Sequence, residues 1–168
     1  MFNLRKTLQL VIKSLGEKKI KFALIGGFAL GAHGIHRATK DIDILIDGSQ
    51  KDLVKELLIK NGFRLLFEST EVMQFDGPGF LDILLANRPL SLDMLKSASK
   101  SELFDINVVS AEGIIGLKIQ AYINDKSRRL QDLADIQALL KVQGLNIKKV
   151  KQYADLFDEW KTIEELLE

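Results

Sequence analysis

The sequence predicts a mixed α/β (α+β) fold that gives way to helices in its last third. Short apolar runs at 21–25, 41–46, 63–68, 72–75, 80–86 and 104–109 are β-branched, aromatic or alternating, and read as strands. Stretches between them carry apolar residues three and four apart, the period of a helix with one buried face. Beyond residue 110 only the helical period remains. A length of 168 residues with 46% apolar composition suits one domain, or one domain with a small helical appendage.

Taken in order, Leu4, Leu8, Val11, Ile12 and Leu15 define an amphipathic helix over 3–18. The apolar run 21–25 is a buried strand that stops at Gly26-Gly27. Residues 28–34 form a short helix closed by Gly34. A polar connection, 35–40, leads into the alternating strand 41–46. Asp47-Gly48-Ser49 ends it, with Ser49 as the expected cap of a helix over 50–61. That helix is expected to bury Leu53, Val54, Leu57 and Leu58 and to stop near Asn61-Gly62. Three strands follow at 63–68, 72–75 and 80–86, the last two joined by the turn Asp76-Gly77-Pro78-Gly79. A short helix over 91–98 and a strand over 104–109 come next. Ser110 and Glu112 then open a helix over 111–123. Helices over 127–143, 147–157 and 158–167 complete the chain. No repeat and no Pro/Gly/Ser-rich linker interrupts it, so the division into 1–110 and 111–168 is a soft one.

Charge narrows the function classes. Lys and Arg number 24 against 23 Asp and Glu, a net of +1, which argues against coating nucleic acid by bulk attraction. The distribution is uneven: residues 118–151 hold eight basic and three acidic side chains, and 153–168 hold six acidic and one basic. The absence of cysteine excludes a disulfide framework, a thiol nucleophile and a Cys-based zinc site. The stretch from Met1 to Lys6 starts basic, but Gln9 and Lys13 interrupt the apolar run behind it and no cleavage signal appears. No run reaches the roughly 18 apolar residues of a spanning helix. The expectation is a soluble cytoplasmic protein with no membrane contact.

Three features carry chemistry. Gly26-Gly27, between a strand and a helix, lets the backbone turn sharply and approach a ligand, and the helix start offers N–H groups to phosphate. By itself the pair also reads as a tight turn. Asp41-Ile42-Asp43 places two carboxylates on one strand face, because side chains two apart share a face. Their repulsion is offset by a cation, and oxygen-only donors suit Mg²⁺. By itself the pair also reads as ordinary exposed acids. Asp82 lies amid Phe80, Leu81, Ile83 and Leu84, an unusual place for a carboxylate. If its strand neighbours 41–46, Asp82 completes a three-carboxylate cluster able to hold metal and deprotonate a hydroxyl. An edge-strand acid facing water is the other reading.

The order Leu24-Ile25-Gly26-Gly27, then Asp41-Ile42-Asp43-Ile44, then Leu81-Asp82-Ile83 resembles the DNA-polymerase-β-like nucleotidyltransferase superfamily. Gly26-Gly27-Phe28-Ala29, His36-Arg37-Ala38-Thr39-Lys40-Asp41 and the stretch Val108 to Lys118 resemble its AbiEii-toxin-like (type IV toxin–antitoxin) branch. So does the run from Arg128 to Ile136. The resemblance spans roughly residues 20–140. It implies a mixed central sheet flanked by helices and a C-terminal helical bundle. It also implies transfer of an NMP from an NTP to a hydroxyl of RNA or tRNA, protein or a small molecule, with Mg²⁺ or Mn²⁺ on Asp41, Asp43 and Asp82, and a cognate antitoxin as partner. Gly27 stands where many superfamily members carry a phosphate-touching serine, so only backbone donors remain there.

In that branch a lysine and an acid on successive helices flank the active site, which points to Lys118 and Asp132, with Asp135 on the same helix face as the rival. A lysine among Ile114, Ile115, Leu117 and Ile119 needs an anion, and a triphosphate would be one. Asp132 also stands four residues from Arg128, the spacing of a surface ion pair. Arg37 and Lys40 are candidate phosphate contacts, with plain solvation as the alternative. A non-catalytic nucleotide- or partner-binding module of the same fold is the second reading, and a nuclease or phosphohydrolase a remoter third. His33 and His36 lack partners at metal-ligand spacing, Phe157 and Trp160 read as packing residues, and Asp47 and Asp76 belong to turns.

Overall fold

The computed structural model describes residues 3–168; Met1 and Phe2, the start of the basic N-terminal stretch, lie outside the described residues. The chain forms two compact units. The first takes in the chain up to Ala29 together with Arg37–Val109, and the second Leu30–His36 with Ser110–Glu168.

The first unit is built on a sheet. Its strands are β1 (Phe22–Ile25), β2 (Asp41–Asp47), β3 (Arg64–Glu68), β4 (Val72–Asp76), β5 (Phe80–Ala86), β6 (Ser99–Lys100) and β7 (Asn107–Val108). They form one seven-stranded sheet in the order β3-β4-β5-β2-β1-β7-β6. The sheet is mixed: β2 runs parallel to β5 and antiparallel to β1, while β1 runs parallel to β7. The predicted class therefore stands.

Helix α1 (Leu4–Gly16) starts at Asn3, whose side chain accepts from the Lys6 N–H, and buries Leu8, Val11 and Leu15. The short helix α2 (Gly26–Ala32) begins at Gly26 rather than at residue 28. Helix α3 (Lys51–Lys60) packs against α1 and β3 through Val54, Leu57 and Leu58, a face spaced three and four apart. Leu53 falls beside that face and is 38% exposed, so its expected burial is not realised. Nor is Ser49 the cap. The Asp47 side chain accepts from the Ser49 N–H and closes a 3-10 turn, Gly48–Gln50, ahead of the helix. Helix α4 (Pro89–Ser97), with proline in its first turn, contacts β2 and β5.

One expected strand is mostly absent. Of residues 104–109, only Asn107 and Val108 pair. Asp105 adopts a left-handed backbone, φ 56°, which breaks the extended run and returns the chain along Ser99–Lys100.

The second unit is helical. Helix α5 (Ala111–Asn124) is capped by the Ser110 hydroxyl, which accepts from the Gly113 N–H. A 3-10 turn, Lys126–Arg128, leads into α6 (Arg129–Leu139), shorter than the periodicity over 127–143 predicts. Helices α7 (Ile147–Asp155) and α8 (Trp160–Glu165) follow, separated by Asp158 at φ 55°. A Cβ at Gly116 would come within 2.9 Å of the Tyr153 ring, so the missing side chain lets α5 and α7 approach closely. Glu112, in the first turn of α5, accepts from the Asn146 N–H at 2.8 Å and ties down the start of α7.

Candidate active site

Alternation along β2 decides where its acids go. Ile42 and Ile44 are fully buried, while Asp41 and Asp43 take the opposite face, half-buried. Parallel pairing with β5 sets Asp43 directly beside Asp82, with Ile42 beside Leu81 and Ile44 beside Ile83 on the core face. Asp41, Asp43 and Asp82 each offer an oxygen, and these oxygens lie within 4.8 Å of one another. The donor set is oxygen only, is not fully buried and carries like charges at close range. That chemistry fits a hard divalent cation such as Mg²⁺ or Mn²⁺.

Neighbouring groups hold each carboxylate in place. Gly26 has a left-handed backbone, φ 62°, and a Cβ there would fall on the Asp43 carboxylate. Only glycine lets the chain reverse this close to the acid. A Cβ at Gly27 would come within 2.7 Å of the Thr39 hydroxyl oxygen. That hydroxyl donates to Asp41 Oδ1 at 2.9 Å. Gln74 of β4, in register with Asp82, donates from Nε2 to Asp82 Oδ2 at 3.4 Å. Arg37 and Lys40 are exposed on the connection that leads into β2, and Arg37 Nη1 donates to the Ala38 carbonyl at 3.3 Å.

Lys118 and Asp132 belong to the second unit, where they form a buried cluster. Lys118 Nζ lies 2.9 Å from Asp132 Oδ1 and 2.6 Å from Asp135 Oδ2. All three are almost wholly buried. Arg128 Nε reaches Asp132 Oδ2 at 3.3 Å, so the four-residue pair is present too. Gln131 donates to Asp135 Oδ1 at 3.3 Å. The anion that a buried lysine requires is here supplied twice over by α6. His33 is half-buried, His36 is exposed, and neither joins the metal-type cluster found among the described residues.

Sequence reasoning missed Thr39 and Gln74 as supports. Thr39 carried a usable signal, being two residues ahead of Asp41. Gln74 carried none, since its place beside Asp82 depends on strand pairing. A third missed group pins α8 to α5: Tyr122 donates to Glu159 at 2.8 Å, and the Arg129 guanidinium lies 4.9 Å from the Tyr122 ring centre. Burial, then the Glu159 carboxylate, push the Tyr122 hydroxyl well above its ordinary pKa.

Comparison with known proteins bears on this geometry. No curated protein matches the chain. Among solved structures, the antibiotic-resistance factor ANT(2'')-Ia superposes with a TM-score of 0.72 at 17% identity, covering 98% of this chain and 97% of that one. The lincosamide antibiotic adenylyltransferase LnuA gives 0.60 at 18% identity, covering 82% and 97%. An antigenic nucleotidyltransferase-like protein from Paracoccidioides brasiliensis gives 0.59 at 17% identity, covering 98% and 91%. At these identities the likeness is one of fold. The family profile described as nucleotidyl transferase AbiEii toxin, Type IV TA system, matches residues 10–60 and 60–165. With nearly the whole chain matched, this protein belongs to the AbiEii nucleotidyl transferase toxin family and is an enzyme of the nucleotidyltransferase class.

Proposed function

We propose that the chain transfers an NMP from an NTP to a hydroxyl acceptor and releases pyrophosphate, with Mg²⁺ or Mn²⁺ held by Asp41, Asp43 and Asp82. The observation that supports it best is the convergence of these acids from adjacent parallel strands onto one sheet face, their oxygens within 4.8 Å of one another. A cation bound there would neutralise phosphate charge as bonding changes. The other roles fall to the chain itself. Gly26 and Gly27 bring backbone close to the carboxylates and admit the triphosphate. Arg37 and Lys40, on the loop into β2, are the proposed phosphate contacts. Asp82 accepts the proton of the acceptor hydroxyl as its oxygen bonds to the α-phosphorus and the bond to pyrophosphate breaks.

Lys118 and Asp132 enter differently. A nucleotide contact from Lys118 has to compete with two carboxylates already on its Nζ. Their proposed contribution is therefore first to the integrity of α5 and α6, and only through exchange of a partner to phosphate. The division into a catalytic core over 1–110 and a helical part over 111–168 remains part of this reading, as do cytoplasmic placement, toxin action and a cognate antitoxin. Among the described residues no helix is long and apolar enough to cross a membrane.

The test is transfer of label from α-³²P-NTP, each of the four in turn, to total RNA, protein and small-molecule fractions. Wild type is expected to label one fraction in the presence of Mg²⁺ or Mn²⁺, and Asp43→Ala to label none while unfolding at a similar temperature. Equal labelling by Asp43→Ala refutes the mechanism.

A further inference from the structure

A bulge in β3 brings an aromatic ring to the carboxylate face. Along an undisturbed strand, side chains alternate between faces. Arg64 pairs with Asp76 and Leu65 with buried Phe75, so strict alternation would return Phe67 to the core face with Leu65. It does not. Phe67 pairs with Gln74, the residue next to Phe75, and Leu66 is the extra residue in between. The alternation resets at that point. Residues in register share a face, so Phe67, Gln74, Asp82 and Asp43 form one row across β3, β4, β5 and β2. Glu68 swings the other way, opposite fully buried Met73, and meets Lys55 of α3 at 3.1 Å.

The outcome is a half-exposed ring. Phe67 is 53% exposed, on an edge strand, where an exposed apolar side chain is a liability. Bulges beside active sites commonly re-aim one side chain. Two strand spacings, roughly 10 Å, separate Phe67 from Asp82 along the row. Gln74 fills the gap, its amide donating to Asp82. Gly26 is seated on Asp43, so the glycine turn lies towards that end of the row and Phe67 at the other, beyond Asp82.

We propose that Phe67, turned onto the carboxylate face by the bulge at Leu66, is the surface on which the acceptor stacks, and that the acceptor is the terminal nucleoside of an RNA strand. This rests on the reading of Asp41, Asp43 and Asp82 as the transfer centre, in which Asp82 takes the acceptor's proton. A nucleobase presents a flat face to a phenyl ring whatever its sequence. The attached ribose then lies over Gln74, whose amide both donates and accepts, and its hydroxyl reaches Asp82. The new bond joins the ribose oxygen to the α-phosphorus; the proton goes to Asp82 and pyrophosphate leaves.

The test compares wild type, Phe67→Ala, Phe67→Trp and Leu66→Ala in the full chain. The probes are a short single-stranded oligoribonucleotide with a 3′ hydroxyl, and tobramycin as a ring-bearing acceptor without a base. Wild type is expected to label the oligoribonucleotide. Phe67→Ala should raise the KM for it about tenfold and leave the KM for NTP unchanged, while Phe67→Trp and Leu66→Ala stay near wild type. The oligoribonucleotide alone should quench emission from the indole introduced by Phe67→Trp, above the background of the single native Trp160. Equal KM values for wild type and Phe67→Ala overturn the stacking role and leave the transfer centre standing. Labelling of tobramycin but not of the oligoribonucleotide overturns the nucleoside acceptor alone. Labelling of nothing, together with no stabilisation by any NTP, overturns the transfer centre itself.

Discussion

Asp43 and Asp82 stand directly opposite each other on adjacent parallel strands, with Ile42–Leu81 and Ile44–Ile83 paired beneath them in the core. The apolar register and the acidic register are one and the same. Whatever keeps the isoleucines buried also holds the two carboxylates side by side, a like-charge contact that the fold sustains.

Relieving that repulsion should leave the fold intact or firmer. Asp82→Asn is expected to unfold at the same temperature as wild type or slightly above it without metal, and to lose transfer activity by about a hundredfold or more. Thermal melts in EDTA and label transfer in Mg²⁺ check the two halves separately.

A divalent ion and NTP together should stabilise wild type. At a hundred times the dissociation constant, one bound ligand contributes about 2.7 kcal/mol. Thermal shift with each NTP, with and without Mg²⁺, should show this for wild type and not for Asp43→Ala.

Gly26→Ala is expected to be among the most damaging small changes in the chain. The left-handed backbone costs about 1–2 kcal/mol for an L side chain, and the new methyl falls on the Asp43 carboxylate. Urea unfolding should show at least that loss. Activity measured well below the melting temperature should fall further than stability does, because the displaced group is the carboxylate itself.

Lys118→Met leaves Asp132 and Asp135 buried with their shared cation removed. Breaking a buried pair in this way costs about 3–5 kcal/mol. Adding Asp135→Asn should restore part of the loss. A shift in urea midpoint at constant slope would place the effect in the folded state.

Tyr122 makes stability sensitive to base. Its hydroxyl is held protonated by burial and by Glu159, so the folded chain binds more protons than the unfolded one above the ordinary tyrosine pKa. The contribution is complete below about pH 10 and is lost as pH rises towards the folded value. Tyr122→Phe should be less stable at neutral pH and should show a flatter decline above pH 10 in urea melts.

Much of the architecture was legible in the residues themselves. The alternation of Asp41 to Ile46 announces both a strand and an acidic face, and Ser110 marks a helix start. What depended on distant partners was not legible. The bulge at Leu66 and the place of Gln74 follow from pairing with β4 and leave no local trace. Asp105 looked like part of a strand because its left-handed backbone has no signature in a chain of ordinary residues. The apolar neighbours of Lys118 in the sequence point to a buried lysine in need of an anion, for which a triphosphate is the expected source. The two acids that already meet this need, Asp132 fourteen residues away and Asp135 three further on, become visible only once α5 and α6 fold together.

The shared register of β2 and β5 also acts as a proofreading device. A slip by one residue would turn the apolar set outward and press the acids into the core. A sheet misaligned by one residue is neither durable nor armed. Copies slipped by one residue lose the core and the carboxylate cluster together, so folding and chemistry are checked by the same hydrogen-bond ladder.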